Sequence, residues 1–424
     1  MAIKRSIVAA SAAWACVLPV RAEAGESCRE LQRTNVAGCA VAASLALQQE
    51  QHALAAQQGR ERAESALLPT NPTLSLSAAQ RRTSADHATN WYATLSQEVE
   101  VAGQRGARRL SAAATRSAQE HAASAMEREV AASAWRAYFE ALAARAALDT
   151  ARHLEATFAR IAQAVHAGAL QGLVSGVDAD VAELTVVRLS QARIEAERRF
   201  AAAQATLAAM VVGDPLRTLP LSGELRPLVH ASALSREQAA AAASRRPELS
   251  QGRELRQAYA HSITALRRAR VPNLTFSLFA QRDGFDERVL GGGIALPIPL
   301  PHPIGRTYTG EIAEQEAWRR GAEVQLERVE REARLEAVAA WHELDAAKAE
   351  HALYSEARVE KAEQTLVRIA DQLAAGRLTL VSVLLAQETL IEFLRARVGA
   401  QLAVCLRSVE LARASGLPLL GGEL

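Results

Sequence analysis

The chain has 424 residues, a formal net charge of +2, and only 4% aromatic against 23% charged residues. That near-balance, with no basic stripe carrying interleaved aromatics, excludes a nucleic-acid binder. Alanine, glutamate, arginine and leucine dominate, which suits long, thinly packed helices better than the two or three thick-cored domains this length would allow.

Lys4 and Arg5 open the chain, an apolar run follows from Ile7 to Val20, and Ala22-Glu23-Ala24 offers a small-x-small cleavage site before Gly25. This is the layout of a secretory signal peptide over residues 1–24, and the run is short for a membrane span. Its removal takes Lys4, Arg5, Arg21 and Glu23 and leaves a mature chain near neutrality. No later stretch of about 18 uncharged apolar residues occurs, so a place in a membrane would require a barrel. Cys16 leaves with the signal, and Cys28, Cys39 and Cys405 remain. Cys28 and Cys39 either form a local disulfide in an oxidising compartment or stay as unpaired thiols. Val36-Ala37-Gly38-Cys39 has the outline of a lipidation box, but polar residues precede it, so the match reads as chance.

A first helix is expected from Val41 to Leu68, interrupted by Gly59. Two strands follow, at about 72–80 and 91–102. Leu74, Leu76 and Ala78 alternate with Ser75 and Ser77, and Ala93, Leu95, Gln97, Val99 and Val101 alternate with Thr94, Ser96, Glu98 and Glu100. Glycine and proline are then absent from Ala107 to Ala167 and from Val177 to Val212. The first of these runs would make a helix of roughly 90 Å, far beyond the needs of a globular domain. Gly213 to Leu228 holds Pro215, Pro220 and Pro227 and reads as a linker over 213–229.

The second half repeats the plan. Strands are expected at about 273–282 and 288–298, with Leu274, Phe276 and Leu278 on one face and Leu290, Gly292, Ile294, Leu296 and Ile298 on another. Pro297, Pro299, Pro301 and Pro303 cannot enter a hydrogen-bonded ladder, so they mark the strand end and the step into the next helix. Ala322 to Ala375 and Arg377 to Val398 are again free of glycine and proline. Leu390, Leu394, Val398 and Leu402 recur four residues apart, the narrow stripe of a laterally paired helix. Glu327 and Glu330 each precede an arginine by four residues, as on a solvated face.

Laid over each other, the halves share four landmarks in order. Pro72-Thr73-Leu74-Ser75-Leu76-Ser77 matches Pro272-Asn273-Leu274-Thr275-Phe276-Ser277, and Gly103 matches Gly305 before a long helix. Gly168-Ala169-Leu170 with Val174-Ser175 matches Gly376-Arg377-Leu378 with Val381-Ser382. The chain is therefore read as an internal duplication: repeats over 25–212 and 230–416, then a tail over 417–424. The fold class is mainly α with a small β part: long antiparallel coiled-coil helices and four strands. Four strands cannot close a membrane barrel, whose smallest examples have about eight, so copies must combine, and threefold symmetry gives twelve.

The repeated order of helix, strand, strand, long helix, helix behind a signal peptide resembles the TolC-like outer-membrane efflux proteins. Arg246-Pro247-Glu248-Leu249, and the helix ending at Ala269-Arg270-Val271-Pro272, resemble the opening of the second half of such proteins. Leu95-Ser96-Gln97 through Gly103-Gln104-Arg105 with Arg108-Arg109, and Ser175-Gly176-Val177-Asp178 before Ala182-Glu183, lean toward the CzcC-like heavy-metal branch. Ala386-Gln387-Glu388-Thr389-Leu390 resembles the helix beside the second tip. Gly106 and Gly321 fall early in what the resemblance makes continuous helices, and the first repeat lacks an Arg-Pro-Glu-Leu equivalent.

The resemblance implies a homotrimer with a 12-stranded barrel in the lipid of a Gram-negative outer membrane and a helical tunnel through the periplasm. It also implies an inner-membrane RND-type pump and a periplasmic adaptor protein as partners, with cations, heavy metals or drugs as cargo. Adaptor contact falls on the tips, Gly168, Ala169 and Leu170 in one repeat and Gly376, Arg377, Leu378 and Thr379 in the other. The alternative for the glycines is simple helix termination. Asp178 and Asp180, just past the first tip, are candidates for a pore constriction that attracts cations, or else complement a helix dipole. Ser382 and Leu385 replace the aspartates some relatives carry in the second copy. Neither catalysis nor a cofactor is expected: there is no phosphate loop or nucleophile elbow, and no His-x-His, Cys-x-x-Cys or methionine cluster for a metal. The competing readings are a periplasmic adaptor, which would carry one helical hairpin between compact β domains, and a secreted structural coiled coil.

Overall fold

The computed structural model describes residues 28–82, 87–172, 174–282, 287–374 and 380–420; the signal peptide and the second tip lie outside them. In chain order the elements are α1 (Val36–Ala43), α2 (Leu45–Glu64), β1 (Thr73–Arg82), β2 (His87–Val99), α3 (Gln104–Leu170) and α4 (Gly176–Val212). After the connecting segment come α5 (Val229–Ser232), α6 (Arg236–Ala242), α7 (Pro247–Arg268), β3 (Leu274–Arg282), β4 (Arg288–Ala295), α8 (Thr309–Ala352), α9 (Glu356–Ala374) and α10 (Leu380–Ala414).

The 67 residues of α3 form one helix of about 100 Å. It runs through Gly106, as α8 runs through Gly321 and α2 through Gly59. The interruption expected at Gly59 lies instead at Ser44, whose extended backbone ends α1 and whose hydroxyl accepts the Leu47 N–H at 3.2 Å to start α2.

Packing along α3 changes with height. In its lower half Leu154, Phe158, Ile161 and Val165 are spaced four, three and four residues apart, and they bury against Ala179, Ala182 and Leu189 of α4. That 3.5-residue period is a coiled-coil seam, which fixes a lateral pair rather than a globule. Leu394 of α10 and Val359 of α9 join the same cluster, tying the second hairpin to the first.

At mid-height the chain thickens. Trp135, Tyr138 and Phe139 are fully buried with ring centroids 5.4–5.9 Å apart. The supposed linker supplies their cover: Leu219, Leu225 and Leu228 are buried in that cluster, with Leu31 and Leu419. Trp135 Nε1 donates to the Leu419 carbonyl at 3.0 Å and Tyr138 donates to that of Ser222 at 2.7 Å. Gly223 follows with φ +117°, and a Cβ there would lie 2.3 Å from the Tyr138 hydroxyl, so only glycine lets the strap close over the ring. Cys28 and Cys39 form a disulfide inside this girdle, so Cys39 pairs with a neighbour and the lipidation-box outline is a chance match.

The second long run is not continuous. α8 stops at Ala352, and the N–H groups of Leu353 and Tyr354 turn back to the carbonyls of Glu350 and His351. The Ser355 carbonyl then starts α9 by accepting from Arg358 and Val359. A break made by i→i−3 hydrogen bonds needs neither glycine nor proline, which is why the unpunctuated run from Ala322 to Ala375 concealed it.

Candidate functional site

Two regions stand out, the sheet at one end of the helices and the hairpin tip at the other. The strands pair antiparallel in the order β1-β2-β3-β4, so β1 and β4 are open edges. Registers align residues into rungs across all four strands. Leu76, Ala93, Ala280 and Leu290 share one rung, and Leu74, Leu95, Leu278 and Gly292 the next. Gln97, Phe276 and Ile294 continue that face, and Val99 and Leu274 end it.

Every second residue points the same way, so between the Trp91 and Val99 rungs this face is apolar apart from Gln97 and, at the loop end, Arg282 and Arg288. Leu76, Leu278, Leu290 and Ile294 are each about two-thirds or more exposed, so the face is not a core. From Trp91 to Val99 it spans about 27 Å along the strand. Tilted at about 40°, it would stand about 21 Å high, close to the ~25 Å apolar band of a membrane barrel. The opposite face is mostly polar toward the helices, with Ser75, Ser77, Thr94, Ser96, Glu98 and Thr275, and carries Tyr92, Phe279 and Val289 toward the loop end.

The sheet is lashed to the helices. Gln104, 3% exposed, accepts the Ala102 N–H at 2.9 Å and donates to the Val271 carbonyl and Asn273 Oδ1. Asn273 donates in turn to Glu98 at 2.7 Å, and Arg268 to the Gly103 carbonyl at 2.8 Å. Arg108 pairs with both Glu64 and Glu100. Two strand-to-helix passages from different repeats thus brace each other around a cavity of about 670 Å³. Composition gave no sign of this network, though Gln104, Arg105 and Arg108 stood in a recognised stretch.

Lower down, Arg246 is 8% exposed and reaches Glu248 at 3.2 Å and Glu336 at 2.6 Å. Burial alone would lower its guanidinium pKa, but the hydrogen bonds of the two carboxylates outweigh it and the net shift is upward. The Arg-Pro-Glu-Leu stretch therefore joins the start of α7 to α8, with Pro247 in its first turn and Leu249 buried.

At the tip, Gly168, Ala169 and Leu170 are the last turn of α3 rather than the reversal itself. Gln171 and Gly172 form a turn after α3, with Gly172 in the left-handed conformation at φ +72°. Gly168 faces inward, where a Cβ would approach Val174 to 3.1 Å, while Leu170 is 79% exposed. The Ser175 hydroxyl accepts the Val177 N–H at 3.2 Å and opens α4. Asp178 sits in that first turn, half-buried, and Asp180 is exposed two residues on, about 200° around the helix. The two carboxylates therefore share no face of α4. Gly376, Arg377, Leu378 and Thr379 lie outside the described residues. Among the described residues no three His, Cys, Asp or Glu side chains gather as a metal site would need, and no helix is long and apolar enough to cross a membrane.

No family model and no curated protein matches the chain. Solved structures do. The channel-forming protein CusC aligns over 92% of this chain and 93% of its own, with TM-score 0.76 and 15% identity. The outer membrane protein VceC of Vibrio cholerae aligns over 92% and 96%, with TM-score 0.72 and 20% identity. The open state of the Neisseria gonorrhoeae outer membrane channel MtrE aligns over 92% and 90%, with TM-score 0.73 and 14% identity. The chain has the fold of these channels across nearly its whole length.

Proposed function

We propose that the chain is one third of an outer-membrane export duct of a Gram-negative bacterium. Three copies would join β4 of one to β1 of the next and close a 12-stranded barrel over a periplasmic tunnel of helices. The observation that carries this is the sheet: a continuous apolar band on one face, a mostly polar opposite face and two open edges on a unit too narrow to close alone. The fold shared with CusC, VceC and MtrE supports it. A secreted structural coiled coil would leave that exposed apolar face without a purpose, and an adaptor would not carry two hairpins on one sheet.

In this reading the chain does no catalysis. An inner-membrane RND-type pump supplies the energy, and an adaptor grips the tips around Gly168–Leu170 and Gly376–Thr379. Cations, heavy metals or drugs leave through the tunnel, and the CzcC-like stretches favour metals. Asp178 and Asp180, on opposite sides of α4 just past the first tip, are the carboxylates offered for a pore constriction. Light scattering and cross-linking of detergent-extracted protein should give a trimer from the outer-membrane fraction that conducts ions in planar bilayers. A soluble monomer in the periplasmic fraction overturns the proposal.

A further inference from the structure

The apolar run on β4 does not stop where its ladder does. Leu290, Gly292 and Ile294 continue into Leu296, Ile298 and Leu300. Leu296 and Ile298 are more than half exposed, as are Leu74 and Leu76 on the other edge strand. Each of the three added residues precedes a proline, which holds it extended. In a strand the N–H and C=O of one residue point to the same neighbour, and the side alternates along the chain. Ser277 Oγ donates to the Gly293 carbonyl at 3.2 Å, so the odd residues of β4 face β3 and the even ones face the open edge. Ser96 Oγ lies 3.5 Å from the Thr73 carbonyl, so in β1 too the even residues face the open edge. Pro297, Pro299 and Pro301 therefore lack an N–H only on the β3 side, where β3 has already ended at Leu274. The outer edge keeps the N–H groups of Leu296, Ile298 and Leu300.

The internal duplication supplies a register for that edge. Ser75 pairs with Thr94 and Thr275 with Ala295, so β1 corresponds to β3 at a shift of 200 residues and β2 to β4 at a shift of 201. Inside the chain the repeats join where β2 meets β3, with Gln97 opposite Phe276 and Val99 opposite Leu274. Carried to the open edges by those shifts, the same pairs become Ile298 opposite Leu76 and Leu300 opposite Leu74. Resting on the duct reading above, we infer that Leu296–Leu300 is a docking edge for β1 of a second copy, in that register. Even residues then meet even residues, so edge hydrogen bonding and the apolar face agree, which a slip of one residue would destroy. One step further the register sets Pro72 opposite His302, and its missing N–H ends the ladder. A ring without stagger would instead close the Leu76 rung on itself, Leu290 against Leu76, and barrels close only with a stagger.

The test uses the full chain in outer-membrane extracts, with Leu76→Cys combined in turn with Leu290→Cys, Ile294→Cys, Leu296→Cys and Ile298→Cys. All five residues are more than half exposed in the protomer, and the one native free thiol among the described residues, Cys405, is buried. Hydrogen-bonded neighbours sit about 5.5 Å apart, within disulfide reach, and a slip of two residues takes the Cα atoms beyond about 7 Å. β1 and β4 of one chain lie about 14 Å apart across the sheet, so a link joins two copies. Oxidation should give covalent trimer, lost on reduction, chiefly with Ile298→Cys. Leu74→Cys with Leu300→Cys should link as well, and this pair decides if the first fails to assemble. A dominant link at Leu290, Ile294 or Leu296, or no link from any pair in extracts that hold trimer, overturns the inference. Absence of trimer from the unmodified chain would overturn the duct reading instead, so the two failures are distinguishable.

Discussion

The sharpest consequence of the register is that two neighbouring positions must respond oppositely to the same substitution. Leu278 lies on the central apolar rung, 67% exposed, and Ser75 points from the other face one rung away. An arginine facing lipid at the midplane of a barrel costs about 2–4 kcal/mol. Three symmetric copies raise that to about 6–12 kcal/mol per assembled barrel, comparable with the whole stability of an ordinary domain. An arginine at Ser75 would face the lumen and cost close to nothing. Leu278→Arg should therefore nearly abolish the trimer band in outer-membrane extracts, while Ser75→Arg leaves it at the unmodified level. Total secreted protein, measured alongside, separates failed insertion from failed synthesis. Equal losses for the two variants, or a greater loss for Ser75→Arg, would refute the assignment of faces and with it the barrel.

Four other perturbations follow from the packing. Trp135→Ala should cost about 3–5 kcal/mol through the cavity it leaves in the girdle, seen as a lowered unfolding midpoint in urea. Cys28→Ser with Cys39→Ser opens an 11-residue loop and should cost about 3 kcal/mol, so reductant should lower the melting temperature of the unmodified chain but not of the variant. Burial alone would raise the Glu248 carboxyl, but hydrogen bonds from Arg246 and from its own N–H leave it below its ordinary 4.5. Its contribution is thus complete above that value and is lost as pH falls through the lower folded one, so the stability gap between unmodified and E248Q protein should shrink in acid. Finally, Leu170→Glu or Leu378→Glu should stop export at unchanged trimer levels if the tips meet the adaptor, and normal export by both would move the partner surface elsewhere.

How much of this was legible beforehand depended on whether a feature is periodic. Alternation of Leu74, Leu76 and Ala78 with serines needs only the period of a strand, and the seam through Leu394 needs only that of a paired helix; both are local and both were readable. The alignment of rungs across strands 200 residues apart is not local. It had to come from the structure, and it turns four apolar stripes into one face. The start of β2 at His87 rather than 91 was hidden because His87, Ala88, Thr89 and Asn90 look like a polar loop until Ala79, Gln80, Arg81 and Arg82 pair with them.

The segment from Gly213 to Leu228 was legible as an irregular connection from its prolines, but its burial was not. Prolines forbid regular hydrogen bonding but not burial, and here Leu219, Leu225 and Leu228 enter the core while Arg33 donates to the carbonyls of Arg226 and Pro227 at 2.8 Å. The available signal was the aromatic trio Trp135, Tyr138 and Phe139 in the middle of an alanine-rich helix. A narrow coiled-coil seam cannot bury three large rings, so their presence required a further layer at that height, and the proline-rich connection is what lies beside it. That layer matters mechanically. With Gln104, Arg108, Asn273 and Arg268 bracing the sheet end and the girdle clamping the middle, α3 is held at two heights. Among the described residues below the girdle, the cluster around Leu154, Val359 and Leu394 and the exposed Arg188–Glu388 contact at 3.1 Å link the hairpins. An exposed ion pair of that kind holds elements together by only about 0–1 kcal/mol. In the proposed duct, parting the two hairpins near the first tip would therefore have to open the Leu154–Val359–Leu394 cluster, and the Arg188–Glu388 pair would add little to its resistance.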